Sequence, residues 1–315
     1  MIEVSGQVSA VKKWIVAARP WALPASTMPV IFGTSLAVVI GKASLDGVRF
    51  LLAFLAMVIL HTAANMRSDV FDFKRGLDRD VTPVSGAIVR GWLSPKAVAA
   101  GASVLFVVGT AIGLILVWMT GPALLVVGVI GMAIGVFYPT LKYHALGDLA
   151  VFLNFGILGS LGAWIVQAGR FSWIPVIWTI PMAMLVSAIL HANNWRDSVS
   201  DAERKITTMA LLLKDRGALF YYGFLIFGPF GLVFALALIP RLVSDSLKSM
   251  PLTFVIVLLA LPQAIKLWRR AVRRHAPRHP LDFVVLDGAT SQFNLVFGLL
   301  CTAALWLRFI LNLFV

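Results

Sequence analysis

The sequence predicts an all-α protein that spends most of its length inside a lipid bilayer, and three observations carry that reading. Mean hydropathy is +0.91, and 60% of the 315 residues are apolar, against about 45–50% in soluble domains. Only 13% are charged, about half the usual share. The apolar residues fall in runs of about 20, the length a helix needs to cross the hydrocarbon core, and nearly all the charge lies between those runs.

Taken in order, the runs predict nine membrane-crossing helices, over residues 20–40, 47–66, 97–118, 121–138, 148–168, 172–193, 217–239, 250–267 and 291–312. Pro24, Pro29, Pro181 and Gly228-Pro229 are tolerable inside them where neighbouring helices re-satisfy the backbone. Gly128, Gly131 and Gly135 suit close helix packing. No stretch reads as a soluble second domain, so residues 1–315 are expected to form a single membrane-embedded domain with a short cytoplasmic segment at 1–19. The first thirteen residues hold Glu3 and no apolar run. Residues 12–40 lack a convincing cleavage site, so the first span is expected to stay.

The remaining composition excludes several function classes. A net charge of +13 invites a nucleic-acid reading, but such proteins gather Lys and Arg on one face of a soluble domain. Here the bases sit in the short gaps between spans. Counting alternate gaps, 21 of the 27 Lys and Arg share one side with the N-terminus, which makes that side cytoplasmic and the C-terminus extracytoplasmic. High hydrophobicity excludes disorder. Cys301, the one cysteine, excludes a disulfide framework and reads as a packing residue.

Chemistry concentrates in the acids. Seven of the 14 Asp and Glu lie in two windows at the cytoplasmic ends of spans 2 and 6. One runs from Asn65 through Asp69, Asp72 and Asp78 to Asp80. The other runs from Asn193-Asn194 through Arg196, Asp197 and Asp201 to Glu203. Both hold Asn-x-x-x-Asp, offset by 128 residues, which resembles a weak internal repeat. Residues three and four apart share a helix face, so Asn65, Asp69 and Asp72 are expected on one stripe and Asn193, Asp197 and Asp201 on another. Carboxylates so close repel unless a cation lies between them. Their oxygens are hard ligands suited to Mg²⁺, which shares itself with substrate phosphates. Arg67, Lys74, Arg75 and Arg196 stand ready to neutralise remaining phosphate charge. Solvated loop charge accounts for Asp80, Glu203 and Asp215. A transporter would set its coupling acids near the bilayer midplane, and these acids sit at span ends.

Five segments, in order, resemble the UbiA superfamily of membrane prenyltransferases. They are Ala18-Arg19-Pro20-Trp21 to Ser26, Asn65 to Asp80, Val84 to Ile88, Leu141-Lys142-Tyr143 to Gly169, and Asn193-Asn194-Trp-Arg196-Asp197-Ser-Val-Ser-Asp201. All five are similar to the MenA-like branch, which makes menaquinone, and to its animal vitamin-K2-forming relatives, and the last resembles a pattern typical of that branch rather than of the hydroxybenzoate enzymes. Residues 201–210, and Thr290 to Asn294, depart from the usual pattern, which leaves room for a different acceptor. The resemblance implies a nine-helix bundle around a central cavity open to lipid, an integral protein of a prokaryotic cytoplasmic membrane with the Asp motifs at the cytoplasmic mouth. It further implies transfer of a polyprenyl chain from a polyprenyl diphosphate to 1,4-dihydroxy-2-naphthoate with Mg²⁺. Hydroxybenzoate, homogentisate or glyceryl-phosphate acceptors are the alternatives. The implied metal ligands are Asn65, Asp69, Asp72, Asp197 and Asp201, then Asp78. Lys142, the only Lys or Arg in its gap, is assigned to the diphosphate, with Arg67, Arg75, Asn194, Arg196, Tyr138 and Tyr143 as further candidates. His61 and His191 are read as buried structural histidines, and Arg19 as an anchor or a carboxylate binder.

Overall fold

A computed structural model describes residues 8–76, 86–204, 206–243, 248–273 and 286–313. Within them the chain is helical, and the one β-type contact is an isolated bridge between His144 and Thr207. The helices are α1 (Ala10–Ala18), α2 (Pro24–Val39), α3 (Gly47–Lys74), α4 (Pro95–Thr120), α5 (Pro122–Lys142) and α6 (Gly147–Ala168). After them come α7 (Trp173–Trp178), α8 (Ile180–Arg196), α9 (Ser198–Glu203), α10 (Met209–Val243), α11 (Leu252–Val272) and α12 (Leu286–Leu311).

Local chemistry sets the ends of these elements. Asp46 caps α3 by accepting from the Arg49 N–H at 3.0 Å, and Ser94 caps α4 by accepting from Ala97 at 3.1 Å. Pro95 and Pro122 take first-turn positions, where a missing N–H costs nothing. Gly121, between α4 and α5, has φ 113°, and Gly169, at the end of α6, has φ 67°. Both are conformations that glycine adopts without a Cβ penalty.

Every expected apolar run is helical, but the count of nine spans is not reached. Among the described residues seven helices are long and apolar enough to cross a membrane, or up to eight if the pair Ala10–Ala22 and Pro24–Val39, bent by 54°, is one span. The shortfall has a covalent cause. Proline lacks the N–H that continues a helix. Pro24 starts a new axis after the bend, and Pro181 follows a break at Thr179 that splits the run 172–193 into α7 and the 17-residue α8. The expected cytoplasmic segment 1–19 contains the amphipathic α1, with Val11, Trp14 and Ile15 exposed.

The bundle has a packed half and a hollow half. In the packed half, α2, α6, α8, α10, α11 and α12 enclose Phe32, Trp195, Tyr222, Phe254, Phe293 and Phe297, all fully buried, with Cys301 among them. Three hydrogen bonds tie the last helix to the first span: Ser291 Oγ to Trp21 O at 2.7 Å, Asn294 Nδ2 to Pro24 O at 3.0 Å, and Trp306 Nε1 to Ser35 Oγ at 3.2 Å. In the hollow half, α4 and α5 turn Val104, Val107, Trp118, Val126 and Phe137 outward. Their inner faces border a cavity.

Candidate active site

The cavity has a volume of about 1520 Å³ and is walled by α3, α4, α5 and α6, with α8, α9 and the start of α12 at its polar end. That exceeds the roughly 300–1,000 Å³ of a drug-sized pocket. Along α5 the lining runs from Leu124 to Lys142, about 27 Å at 1.5 Å per residue. The cavity therefore extends through most of a bilayer's apolar thickness. Gly128, Gly131 and Gly135 all line the cavity. Gly131 and Gly135 face Asn154 of α6, in keeping with the sequence reading, whereas Gly128 corrects it, because a Cβ there would meet nothing within 4 Å.

The first acidic motif lies on the last turns of the continuous α3. Asn65, Ser68 and Asp72 line the cavity. Asp72 accepts from the Tyr143 hydroxyl at 2.8 Å and from Lys142 Nζ at 3.4 Å. Burial, and after it the charge of Asp72, pushes the Tyr143 phenol above its ordinary range, which keeps it a protonated donor. Asp69 was expected on the same stripe. It is instead buried and ion-paired with Arg19, whose φ of 52° is left-handed, a conformation that costs a non-glycine residue of order 1–3 kcal/mol. Gly86 gives Asp69 its room, because a Cβ there would lie 2.8 Å from Asp69 Oδ2. Arg75 stacks on Phe71 and Tyr143, at 4.6 and 4.8 Å. Arg67 is exposed, 6.0 Å from the Phe106 ring. Neither arginine is in the cavity wall. Asp78 and Asp80 lie outside the described residues.

The second motif straddles a helix junction. Arg196 ends α8, Asp197 is the hinge at φ −87° and ψ 3°, and Asp201 belongs to α9. The expected unbroken stripe is thus interrupted at its middle residue. Asn193, Arg196, Asp197 and Asp201 all line the cavity. Arg196 grips Asp197 through two bonds of 2.8 and 3.0 Å and reaches Asp287 Oδ2 at 2.7 Å. Asn194 faces away from the cavity, with its Nδ2 3.5 Å from the buried Asp148. Asp148 also lies 3.4 Å from His191, which donates through Nε2 to the Ala218 carbonyl at 3.0 Å. His61 is buried as expected, 2.7 Å from Ser26 Oγ through Nδ1, and its ring lies on Phe155. Tyr138 lines the cavity beside Lys142. The bridge at His144 and Thr207, with Ala145 N donating to Thr207 O at 2.8 Å, clips the Lys142-Tyr143 turn to the segment after the second motif.

Sequence reasoning missed two acids that this geometry brings in. Asp287 stands at the start of a span beside no motif, so nothing in the sequence marks it. Asp148 had a signal in the Leu146-Gly147-Asp148 stretch, but its burial behind Asn194 and His191 is tertiary.

Among the described residues no three Asp, Glu, His or Cys side chains gather closely enough to hold a metal by themselves. Mg²⁺ does not need such a cage, since one or two carboxylates with substrate phosphates and water serve it. Asp72, Asp197 and Asp201 offer hard oxygens from two elements around one cavity. Asn65 adds an amide oxygen, and its Nδ2, buried without a hydrogen-bond partner among the described residues, is a donor suited to a phosphate oxygen. That donor set fits Mg²⁺ shared with a diphosphate.

Comparison with known proteins gives a consistent picture. The UbiA prenyltransferase family profile matches residues 26–286. The UbiA prenyltransferase domain-containing protein 1 of Mus musculus is 32% identical over 292 residues, 91% of this chain and 81% of that protein. Its Drosophila melanogaster homolog is 30% identical over 308 residues, 95% of this chain and 81% of that one. These relatives are animal proteins and lend no support to a prokaryotic setting. Among solved structures, a UbiA homolog from Aeropyrum pernix K1 shares the fold at a TM-score of 0.63 and 16% identity, covering 90% of this chain and 97% of that one. One from Archaeoglobus fulgidus bound to GPP and Mg²⁺ does so at 0.60 and 15%, covering 92% and 99%.

Proposed function

The chain belongs to the UbiA prenyltransferase family, and from that premise and its site we propose a MenA-like enzyme. It transfers a polyprenyl chain from a polyprenyl diphosphate to 1,4-dihydroxy-2-naphthoate, releasing diphosphate and CO₂. The observation that carries the reading is the cavity itself. One end holds carboxylates interleaved with Lys142, Arg196 and Arg19, and the rest is lined mostly by apolar residues over roughly the length of a membrane helix. A diphosphate with a long hydrocarbon tail has that same division. The choice of naphthoate rests on the Asn193-Asn194-x-Arg196-Asp197-x-x-x-Asp201 pattern. Hydroxybenzoate, homogentisate and glyceryl phosphate are the other acceptors to try.

Asn65, Asp72, Asp197 and Asp201 would hold Mg²⁺, a reading supported by the Archaeoglobus homolog that binds GPP and Mg²⁺. The ion, when bound, supplies Lewis-acid neutralisation of the leaving diphosphate. Lys142 and Arg196 are aimed at oxygens that gain charge as the allylic C–O bond breaks, and donors placed for developing charge lower the barrier more than they tighten binding. Asp72 orients Lys142, and Asp69 orients Arg19. The apolar walls keep water from the allylic cation until the aromatic carbon captures it. The motif end of the bundle faces the cytoplasm, by the distribution of bases, so a reporter inserted between residues 273 and 280 should read as cytoplasmic and one after Val315 as extracytoplasmic.

The test is purified protein with Mg²⁺, a series of prenyl diphosphates and the acceptor panel, read by mass spectrometry. A prenylated naphthoquinol with loss of CO₂ is expected. Prenylation of a different acceptor alone would move the protein to another branch, and prenylation of none would reject the reading.

A further inference from the structure

A hydrocarbon tunnel has no use for a carboxamide, yet Asn154 presents one. It lies in a π-turn over Phe152–Leu158 within α6, a helix irregularity that recurs at functional sites. Its side chain lines the cavity among Ala150, Val151, Phe155 and Leu158 of its own helix, and it makes no hydrogen bond to any described residue. The amide faces α5 over a single turn whose two ends are glycines. Its Oδ1 lies 3.0 Å from where a Cβ on Gly131 would stand, and its Nδ2 lies 3.9 Å from the same point on Gly135. Any larger residue at 131 would press on the amide. Gly135 and Gly131 precede Lys142 by 7 and 11 residues, so the amide sits about 10–16 Å below the polar mouth.

Both a prenyl tail and an aromatic acceptor must enter this space if the proposed function holds, and the inference rests on that reading. The tail neither donates nor accepts hydrogen bonds. A ring hydroxyl does both, as does a carboxamide, which donates through Nδ2 and accepts through Oδ1. We infer that Asn154, in the π-turn opposite Gly131 and Gly135, is a specificity-determining residue that exchanges hydrogen bonds with a ring hydroxyl of the aromatic acceptor. The acceptor then lies between the bases of the mouth and the Asn154 turn, its carboxylate toward the bases and its hydroxyl inward. Sites that bind a substrate hydroxyl this way discriminate strongly against the analogue lacking it, because the protein's own polar group is then left without a partner.

The experiment compares 1,4-dihydroxy-2-naphthoate with 1-hydroxy-2-naphthoate in the wild type, Asn154→Leu and Asn154→Thr. Full-length protein is used in nanodiscs with Mg²⁺ and one prenyl diphosphate. The wild type should favour the dihydroxy acid at least tenfold in kcat/KM. Asn154→Leu should bring that ratio close to one through a higher acceptor KM, leaving the KM for prenyl diphosphate and the preference for its chain length in place. Asn154→Thr, which keeps a donor and an acceptor, should recover part of the ratio. A ratio unchanged in Asn154→Leu, or a shift in prenyl chain-length preference instead, would overturn the inference. A second arm measures thermal stabilisation of each protein by the two acids without prenyl diphosphate. If the wild type prenylates neither acid, the proposed function fails on its own account, and the binding arm still decides Asn154: equal stabilisation of wild type and Asn154→Leu by the dihydroxy acid rejects it.

Discussion

The two acidic motifs read almost alike in sequence, yet the fold treats them differently. The first sits on an unbroken helix and finds its bases on distant elements, Arg19 before α2 and Lys142 with Tyr143 at the end of α5. The second breaks its own helix at Asp197 and finds its base one residue away, in Arg196. The first motif is therefore a cross-brace: Asp69 and Asp72 hold three segments together at the mouth. The second is a self-contained clamp whose outside partner is another acid, Asp287. Like spacing conveys like chemistry, carboxylates along one side of a helix end. What surrounds the carboxylates depends on which elements the fold brings there.

The largest effects should come from removing one cavity-lining carboxylate from each motif. Asp72→Asn and Asp201→Asn keep size and lose charge, and each should lower prenyl transfer by about 10²–10³-fold, the range for losing one preorganised electrostatic group. Quantified by product formation at saturating Mg²⁺, activity within twofold of wild type in both would break the claim that the motifs act on one diphosphate. The next effect separates the motifs. Arg196→Ala leaves Asp197 and Asp287 facing each other without their shared cation, whereas Lys142→Ala leaves Asp72 still bonded to Tyr143. Both should lower kcat by about 10–100-fold, in keeping with about 1.5–3 kcal/mol for a charged hydrogen bond. Lys142→Arg should retain more activity than Arg196→Lys, because only Arg196 uses a bidentate fork. Equal recovery by the two conservative variants would erase the distinction between brace and clamp.

Much of this is legible in the amino-acid sequence, and the illegible part has a physical pattern. Hydropathy located the long apolar helices, because burial in lipid is written in composition, but not the short α1 and α9. Its count of nine spans is not reached among the described residues, because Pro24 and Pro181 bend or split a run without changing its hydrophobicity. Helical spacing placed Asn65 and Asp72 on the cavity but misplaced Asp69, since a 3.6-residue period defines a face and not what lies opposite. The glycines of α5 were read as packing residues. Small residues let a helix approach a neighbour or leave a void, and the sequence does not separate those outcomes. Asp148 and Asp287 join the site only through tertiary contacts.

That ambiguity over the glycines yields a further contrast, between the mouth and the tunnel. Gly128 lines the cavity about 21 Å along α5 from Lys142, with open space where a side chain would be. Gly128→Phe should leave turnover with the shortest prenyl diphosphates within about threefold, a barrier change of about 0.7 kcal/mol, while reducing the use of longer ones by about tenfold. Competition assays with mixed chain lengths would read this directly. A uniform loss across lengths would mean that the tail leaves the cavity before reaching that depth.

The smallest expected effect tests the brace at its weakest strand. Tyr143 donates to Asp72 at 2.8 Å while Lys142 holds the other carboxylate oxygen at 3.4 Å, so Tyr143→Phe removes one of two supports and keeps the ring that stacks on Phe71 and Arg75. With Lys142 in place, the loss should be about 1 kcal/mol, near fivefold in kcat, with the acceptor KM little changed. The pH profile sharpens the point. Burial and Asp72 raise the Tyr143 pKa, so its neutral, donating form persists as pH rises past the ordinary tyrosine value. Wild type and Tyr143→Phe should therefore keep the same ratio of activities from neutral pH to about pH 10, the ordinary tyrosine value. A ratio that narrows toward one at alkaline pH would show the phenol ionising there, and the brace would then rest on Lys142 alone.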